Sequence, residues 1–349
     1  MTDRQPTISL ICALVMCVST LHAETLNLSP DFVNQCKNRA TISIQFELDA
    51  HLTSPHKISR SGDDGDVHMA GRAPEVQLPM VAEIMNAGLD AESASLDLMN
   101  QTAPGKTIPI TGAWRIWFEH PSTGDQTQGD PVDVPENSNP DHVFEIHPIT
   151  KFGPNDIANS SFVPIDKPDN TNPQVPEDYD AYAASKAFGA YEKLKATVSV
   201  SDAEISITAK RAVYNYTEFL LEPVDQPMAG DDGTFVLANV YDVSDPENPV
   251  TSAPRRMVFV SNTQPEAALH NLAHGHMLHV LGIPRVNLAE VAAVSGSDVD
   301  MALPYEMIVV AILPDGQTSR VTPRNAVRAT GEASLPTLNP RRQRPTHSR

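Results

Sequence analysis

The stretch 107–119, TIPITGAWRIWFE, decides the fold class that this sequence predicts. Residues 41–49, TISIQFELD, and 142–150, HVFEIHPIT, show the same alternation of apolar and polar side chains, which is typical of half-buried β-strands. Gly112 lies within the first stretch, where glycine often marks a bulge or the sharp bend of a small barrel. Strands of this kind, joined by long polar connections, predict a small barrel or sandwich rather than a parallel α/β sheet.

Length and composition suggest about two domains for the 349 residues. The 30 prolines outnumber the 17 glycines and shorten helices, so strands and loops are expected to dominate. We expect a β-domain over residues 24–160, a linker over 161–179 and an α+β domain over 180–318. The longest helix of the second domain is expected at 264–281.

The N-terminus has the features of an export signal. An apolar run over residues 8–21 is followed by Leu21-His22-Ala23, which approximates a small-residue cleavage site, so residues 1–23 are interpreted as a signal peptide. No later stretch is apolar enough to predict a membrane span in the mature chain. We therefore expect an exported protein, periplasmic or extracellular. Its mature part keeps only Cys36, which excludes an internal disulfide and a cysteine-rich zinc site.

The net charge of −19 argues against a general binder of nucleic acids or anionic membranes, because such partners need clustered Lys and Arg. The basic tail 319–349 is the exception, and it is either an arm that contacts an acidic surface or a solvated disordered segment. The remaining partners that the sequence leaves open are a small molecule, a glycan or a protein of the cell envelope.

An acidic motif in the first domain carries groups that can bind a metal. Residues 63–68, DDGDVH, place several carboxylates on a glycine turn, where they repel one another unless a cation neutralises them. Asp64, Asp66 and His68 are therefore candidate ligands of a divalent ion such as Ca²⁺ or Zn²⁺. The spacing is not that of an EF-hand, and the alternative is a solvated acidic turn.

The strand 142–150 carries a second pair of candidate ligands. Glu145 and His147 project to the same side of the strand. An imidazole beside a carboxylate suits a metal site or a general base, although a third ligand, for example His68, His120 or Glu83, would have to come from elsewhere. His142 on the same strand is a further candidate binding residue. The alternative is a hydrogen-bonded pair that fixes the barrel.

Two weaker candidates lie outside these motifs. His270 and His274 are four residues apart on the expected helix 264–281, the spacing that zinc-binding helices use, but Asn271 replaces the catalytic Glu of the H-E-x-x-H pattern. They are secondary metal candidates, and a packing helix rich in His is the alternative. Trp117 faces away from the packed side of its strand, so it either stacks on a ligand or is buried under the second domain.

Taken together, D-G-D-x-H at 64–68, Glu83, the Thr111-Gly112 strand and E-I-H-P at 145–148 resemble an uncharacterised group of exported bacterial domains with D-G-D-x-H and E-[IL]-H-P-[VI] motifs. The resemblance covers residues 40–152. It implies a small OB-like β-barrel and assigns no catalytic residues. The expected fold is thus mainly β, an OB-like small β-barrel followed by an α+β domain.

Two functions remain open at this stage. The first is an exported binding or scaffold protein of the cell envelope. The alternative is a metal-dependent hydrolase, of the phosphodiesterase or nuclease kind, in which Asp64, Asp66, His68, Glu145 and His147 surround one ion that activates water. The two differ in whether the D-G-D-x-H loop and the E-I-H strand converge on a common point. The sequence lacks the nucleophile elbow and the phosphate-binding loops of common hydrolases and nucleotide enzymes.

Overall fold

A computed structural model describes residues 23–55, 65–120, 124–164 and 182–319. The described strands are β1 (Ala23–Leu28), β2 (Thr41–His51), β3 (Val67–Arg72), β4 (Met80–Ile84), β5 (Lys106–His120), β6 (Gln126–Thr127), β7 (His142–Phe152), β8 (Asn155–Asp156), β9 (Tyr182–Ala183), β10 (Lys195–Val200), β11 (Ile205–Lys210), β12 (Thr217–Pro223), β13 (Met228–Ala229), β14 (Gly233–Asp242), β15 (Asp245–Pro249), β16 (Arg255–Val260), β17 (His276–Val286), β18 (Gly296–Ala302) and β19 (Tyr305–Ser319). The described helices are α1 (Pro30–Cys36), α2 (Ser93–Gln101), α3 (Ala158–Ser161), α4 (Ala184–Tyr191), α5 (Gln264–His270) and α6 (Leu288–Ala292), with a 3₁₀ turn at Asp90–Glu92. The expected mainly-β class is confirmed.

The first half forms a closed five-stranded barrel in the order β2-β3-β4-β7-β5-β2. The parallel pairing of β4 with β7 closes it, and all other pairs are antiparallel. Side chains of the alternating strands fill the interior, among them Phe46, Trp114 and Phe144, which are fully buried. Burial of each such side chain stabilises the fold by about 1.5–3 kcal/mol.

The expected irregularity at Gly112 is present. The register of β5 against β7 shifts on both sides of this residue. A Cβ atom there would lie 2.6 Å from the carbonyl oxygen of Pro148 and 2.8 Å from the Cα of Ile149. Only glycine therefore lets the two strands approach this closely.

The second half contains a closed barrel with the same connectivity. Its order is β12-β14-β16-β19-β17-β12, with β16 and β19 parallel and the other pairs antiparallel. Each barrel has a helix between its third and fourth strands, α2 in the first and α5 in the second. The two halves thus repeat one arrangement of five strands and a helix.

The expected helix at 264–281 is wrong beyond its first seven residues. Helix α5 ends at His270, and a turn with Gly275 at φ 79° leads directly into β17, which starts at His276. Strand β17 is bonded on both sides, by β12 and β19, and these ladders outweigh the helical tendency of the sequence. The face that His270 and His274 were expected to share does not form, because His274 lies past the end of the helix.

A five-stranded sheet, β18-β10-β11-β1-β6, contains strands from both halves. Strand β1 pairs with β11, and one large apolar cluster contains residues of both barrels. Residues on either side of the expected linker therefore share one sheet and one core. None of the helices in the described part of the chain has the length and apolar character needed to cross a bilayer. The predicted signal peptide, apart from Ala23, most of the predicted linker, and the tail beyond Ser319 lie outside the described residues.

Candidate metal centre

Asp66, Glu83 and His147 converge on the side of the first barrel's strands that faces away from the barrel interior. Asp66 immediately precedes β3, Glu83 lies in β4 and His147 lies in β7. His147 Nε2 is 3.3 Å from Asp66 Oδ2, and His147 Nδ1 is 3.2 Å from Glu83 Oε2. One potential ligand atom from each residue lies within 4.8 Å of the others. The D-G-D-x-H loop and the E-I-H strand therefore do converge; Asp64 lies outside the described residues.

Further ionisable groups surround these three residues. His68 Nε2 is 3.4 Å from Glu83 Oε2, and Glu145 Oε2 is 3.7 Å from His147 Nδ1. Arg115 forms an ion pair with Glu145. The candidate ligands are enclosed, because Asp66 and His147 have 0% of their surface exposed and Glu83 has 6%.

The second half of the chain contributes Tyr216, the residue before β12. Its hydroxyl donates to Asp66 Oδ2 at 2.9 Å and lies 2.7 Å from His147 Nε2. The backbone N–H of Asn86 donates to the other oxygen, Asp66 Oδ1, at 3.2 Å. Nδ1 of His147 is buried and makes no hydrogen bond of good geometry within the described structure.

The ionisable groups in this cluster strongly shift one another's pKa values. Burial alone would raise the pKa of Glu83, but the imidazoles of His147 and His68 lower it to about 2. Burial alone would lower the pKa of His147, but the carboxylates of Glu83, Asp66 and Glu145 raise it well above its usual value. Likewise, Arg115 and the neighbouring imidazoles outweigh burial and hold the pKa of Glu145 well below its usual range.

The enclosed carboxylates carry more negative charge than the guanidinium of Arg115 neutralises. Asp66, Glu83 and Glu145 are opposed by Arg115, so two further positive charges are needed for balance. Isolated buried charges are costly, and neighbouring groups must compensate them. Either two protonated imidazoles or one divalent cation can supply this charge. Mixed carboxylate and imidazole ligands suit Zn²⁺ better than Ca²⁺, which prefers oxygen ligands alone.

The two barrels can be aligned residue by residue on a buried ion pair that both contain. Arg115 on β5 faces Glu145 on β7, and Arg285 on β17 faces Glu306 on β19, at matching register positions. The arginines also link the barrels reciprocally. Arg115 Nε donates to the carbonyl of Pro284 at 2.9 Å, and Arg285 Nη1 donates to the carbonyl of Trp114 at 3.0 Å.

This alignment shows that the fold does not require ionisable residues at the candidate centre. The second barrel has apolar residues or glycine at the corresponding positions: Gly233 for Asp66, Phe235 for His68, Val258 for Glu83 and Ile308 for His147. Of these, Phe235, Val258 and Ile308 belong to one buried apolar cluster. The two barrels therefore share one architecture, with ionisable residues at these four positions in the first barrel and apolar residues or glycine in the second.

The other candidate binding residues are buried. His142 is 1% exposed; its Nδ1 is 2.6 Å from the carbonyl oxygen of Pro140, and its Nε2 is 3.1 Å from Glu145 Oε1. Trp117 is 1% exposed and packs edge-on against Tyr191 of α4, with ring centroids 5.4 Å apart. Trp117 is therefore buried against the second half of the chain, which was the alternative to stacking on a ligand.

A second group that could hold a metal, Glu119, His120 and Glu145, adjoins the first. Glu119 and His120 are partly exposed, while Glu145 is shared with the buried cluster through Arg115. The rings of His120 and His142 stack with centroids 5.1 Å apart. This group opens toward solvent, whereas the Asp66 group does not.

Sequence reasoning missed Arg115 and Tyr216. The sequence did indicate a role for Arg115, because a charged residue between Trp114 and Ile116 in an apolar strand requires a buried partner. No sequence feature indicated Tyr216, because only the packing of the two halves brings it to Asp66.

Comparison with known proteins gives no family. No protein-family model and no curated protein matches the chain. Two solved structures are similar at a low level. One, "Structure of murine DNA binding protein bound with ds DNA", has 8% identity and a TM-score of 0.19, and the match covers 77% of this chain and 92% of that one. The other, "Molecular basis for abrogation of activation of pro-inflammatory cytokines", has 9% identity and a TM-score of 0.17 over 80% and 92% of the two chains. Neither supports an argument about fold or function.

Proposed function

We propose that the chain is an exported binding or scaffold protein, and that Asp66, Glu83 and His147 hold one divalent cation, most favourably Zn²⁺, between its two halves. One observation carries this proposal. The three groups converge and are sealed from solvent, at positions where the second barrel has residues that cannot bind a metal. Structural metal sites are closed to solvent, whereas catalytic ones keep an open position.

We further propose that both barrels are OB-like. The strand order, the single parallel pair and the helix between the third and fourth strands support this assignment. Barrels of this kind present their strand faces and loops to ligands, while their interiors are filled by side chains. Export is supported by the sequence features of residues 1–23.

The metal-dependent hydrolase is the second candidate, and the convergence of the two motifs favours it. A catalytic ion keeps a ligand position open to water and substrate. Asp66 and His147 are 0% exposed and Glu83 is 6% exposed, which disfavours such an approach. We therefore assign the ion a structural role.

Metal analysis of the purified protein tests the proposal. We expect about one zinc per chain, and a melting temperature that falls when a chelator removes it. Glu83→Gln should lose the metal. Glu306→Gln is the matched control, because Glu306 is equally buried but lies in the second barrel; it should lose stability and keep the metal.

Two results would contradict the structural assignment. Absence of stoichiometric metal, with a melting temperature unaffected by chelator, would remove the metal site. Metal-dependent cleavage of bis-(p-nitrophenyl) phosphate, abolished by Glu83→Gln and retained by Glu306→Gln, would establish the hydrolase instead.

A further inference from the structure

An open groove of about 880 Å³ crosses one end of the sheet that the two halves share. It is lined by the start of β1, the adjoining ends of β10, β11 and β18, and the residues that follow α4. The groove lies apart from the buried cluster, and none of the candidate metal ligands lines it.

The groove is basic although the chain carries a net charge of −19. Lys193, Lys195, Lys210 and Arg211 line it and are exposed, and Asp300 is the single acidic residue among the described lining residues. Asp300 already accepts a hydrogen bond from the Thr197 hydroxyl at 2.7 Å. A local excess of positive charge on an acidic protein attracts an anionic partner.

The other lining residues restrict the kind of anion. Leu194, Val213 and Met301 provide aliphatic surface, while the hydroxyls of Thr197 and Thr208 already bond to Asp300 and Thr25. The lining residues within the described part of the chain include no aromatic side chain. Single-stranded nucleic acids are usually held by stacking of bases on aromatic rings, so this lining does not favour them.

The overall charge further restricts the size of the partner. A membrane surface or a long nucleic acid would extend past the groove and meet the acidic remainder of the protein, which repels it within about 8–10 Å at moderate ionic strength. A short segment makes contact only inside the basic groove. The volume is within the range of about 300–1,000 Å³ that is usual for compact ligands.

We propose that this groove binds an acidic peptide segment of a partner protein, with carboxylates at the basic rim and aliphatic side chains on Leu194 and Met301. This inference specifies the partner of the proposed binding function. The charge complementarity of the groove carries it, independently of the metal site.

Fluorescence anisotropy of the full-length protein with a labelled peptide of repeating Glu-Ala-Leu-Asp tests the proposal. We expect saturable binding that weakens as salt is added. Lys195→Glu and Lys210→Glu should each weaken it by about tenfold or more. Lys106→Glu, which changes an exposed lysine of the first barrel outside the groove, is the matched control and should change it by less than about twofold.

Three competitors separate the alternatives: the neutral peptide of repeating Gln-Ala-Leu-Asn, oligothymidylate, and vesicles of phosphatidylglycerol in phosphatidylcholine. Equal binding of the neutral peptide, tighter binding of either other probe, or an equal effect of Lys106→Glu would overturn the proposal. Failure to bind the acidic peptide would also overturn it. Zinc content of the same preparations is measured in parallel, so that failure of the metal site and failure of the groove are distinguished.

Discussion

Glu83→Val and His147→Ile give the candidate centre the residues that the second barrel has at the same register positions. Made singly, each substitution breaks the 3.2 Å contact between Glu83 and His147 and leaves the other residue buried. Made together, they remove both members of the pair and add apolar surface. The two substitutions therefore separate the cost of breaking this pair from the cost of lacking it.

The expected magnitudes follow from the burial of both groups. Removal of one member of a buried charged pair costs about 3–5 kcal/mol, whereas replacement of a whole pair by apolar residues of similar volume is often neutral or stabilising. We expect the double variant to lose less than about 3 kcal/mol. The sum of the single losses is about 6–10 kcal/mol, so the coupling between the two sites is at least about 3 kcal/mol.

Urea unfolding in the presence of a chelator measures these values without a contribution from metal binding. The fluorescence of Trp114 and Trp117, both buried, reports the transition. As a control, Glu83→Val combined with Ile207→Val, a substitution in β11 of the shared sheet, should be additive within about 0.5 kcal/mol. The reasoning is refuted if the Glu83 and His147 substitutions are also additive within that margin, or if Glu83→Val alone costs less than about 1 kcal/mol.

Three further predictions concern residues outside the cluster. Burial raises the pKa of Glu92 from its ordinary 4.5 to about 7, so its contribution to stability is complete below pH 4.5 and is lost as the pH rises through 7. Glu92→Gln should therefore stabilise the protein at pH 8 by up to about 3 kcal/mol and have little effect at pH 4, as melting curves across this range would show. Gly112→Ala should cost about 1–3 kcal/mol in urea unfolding because of its close contacts, whereas Gly88→Ala, with no atom within 4 Å of the added Cβ, should stay within about 0.5 kcal/mol. Burial raises the pKa of the Cys36 thiol to about 12, so it should not react with a disulfide reagent at pH 8 until urea unfolds the protein; rapid reaction of the native protein would show that the thiol is accessible.

Local patterns predicted three of the five strands of the first barrel but not how they close. The alternation at 41–49, 107–119 and 142–150 corresponds to β2, β5 and β7, and the expected irregularity at Gly112 is present. Closure depends on the parallel pairing of β4 with β7, between residues that are far apart in the chain. At 264–281, periodicity favoured a helix, whereas pairing with two neighbouring strands determined the outcome after Gly275.

The candidate centre was predictable as two motifs and not as one site. D-G-D-x-H and E-I-H marked Asp66 and His147 as separate candidates, and their meeting depends on the barrel. One spacing in the sequence reflects the repetition of the fold: Gly112 and Gly282 each lie three residues before a buried arginine. The two copies are too far apart in the chain, and too different elsewhere, for this spacing alone to reveal two barrels.

The position of β1 in the shared sheet has a consequence for the order in which the chain acquires its structure. Ala23 is paired with Lys210, roughly 190 residues later. During synthesis the first barrel can close once Phe152 has emerged, while β1, which precedes that barrel in the chain, still lacks its antiparallel neighbour β11. That strand can take its final place only after the start of the second half has been made, so the earliest residues of the described chain are among the last to become fully bonded.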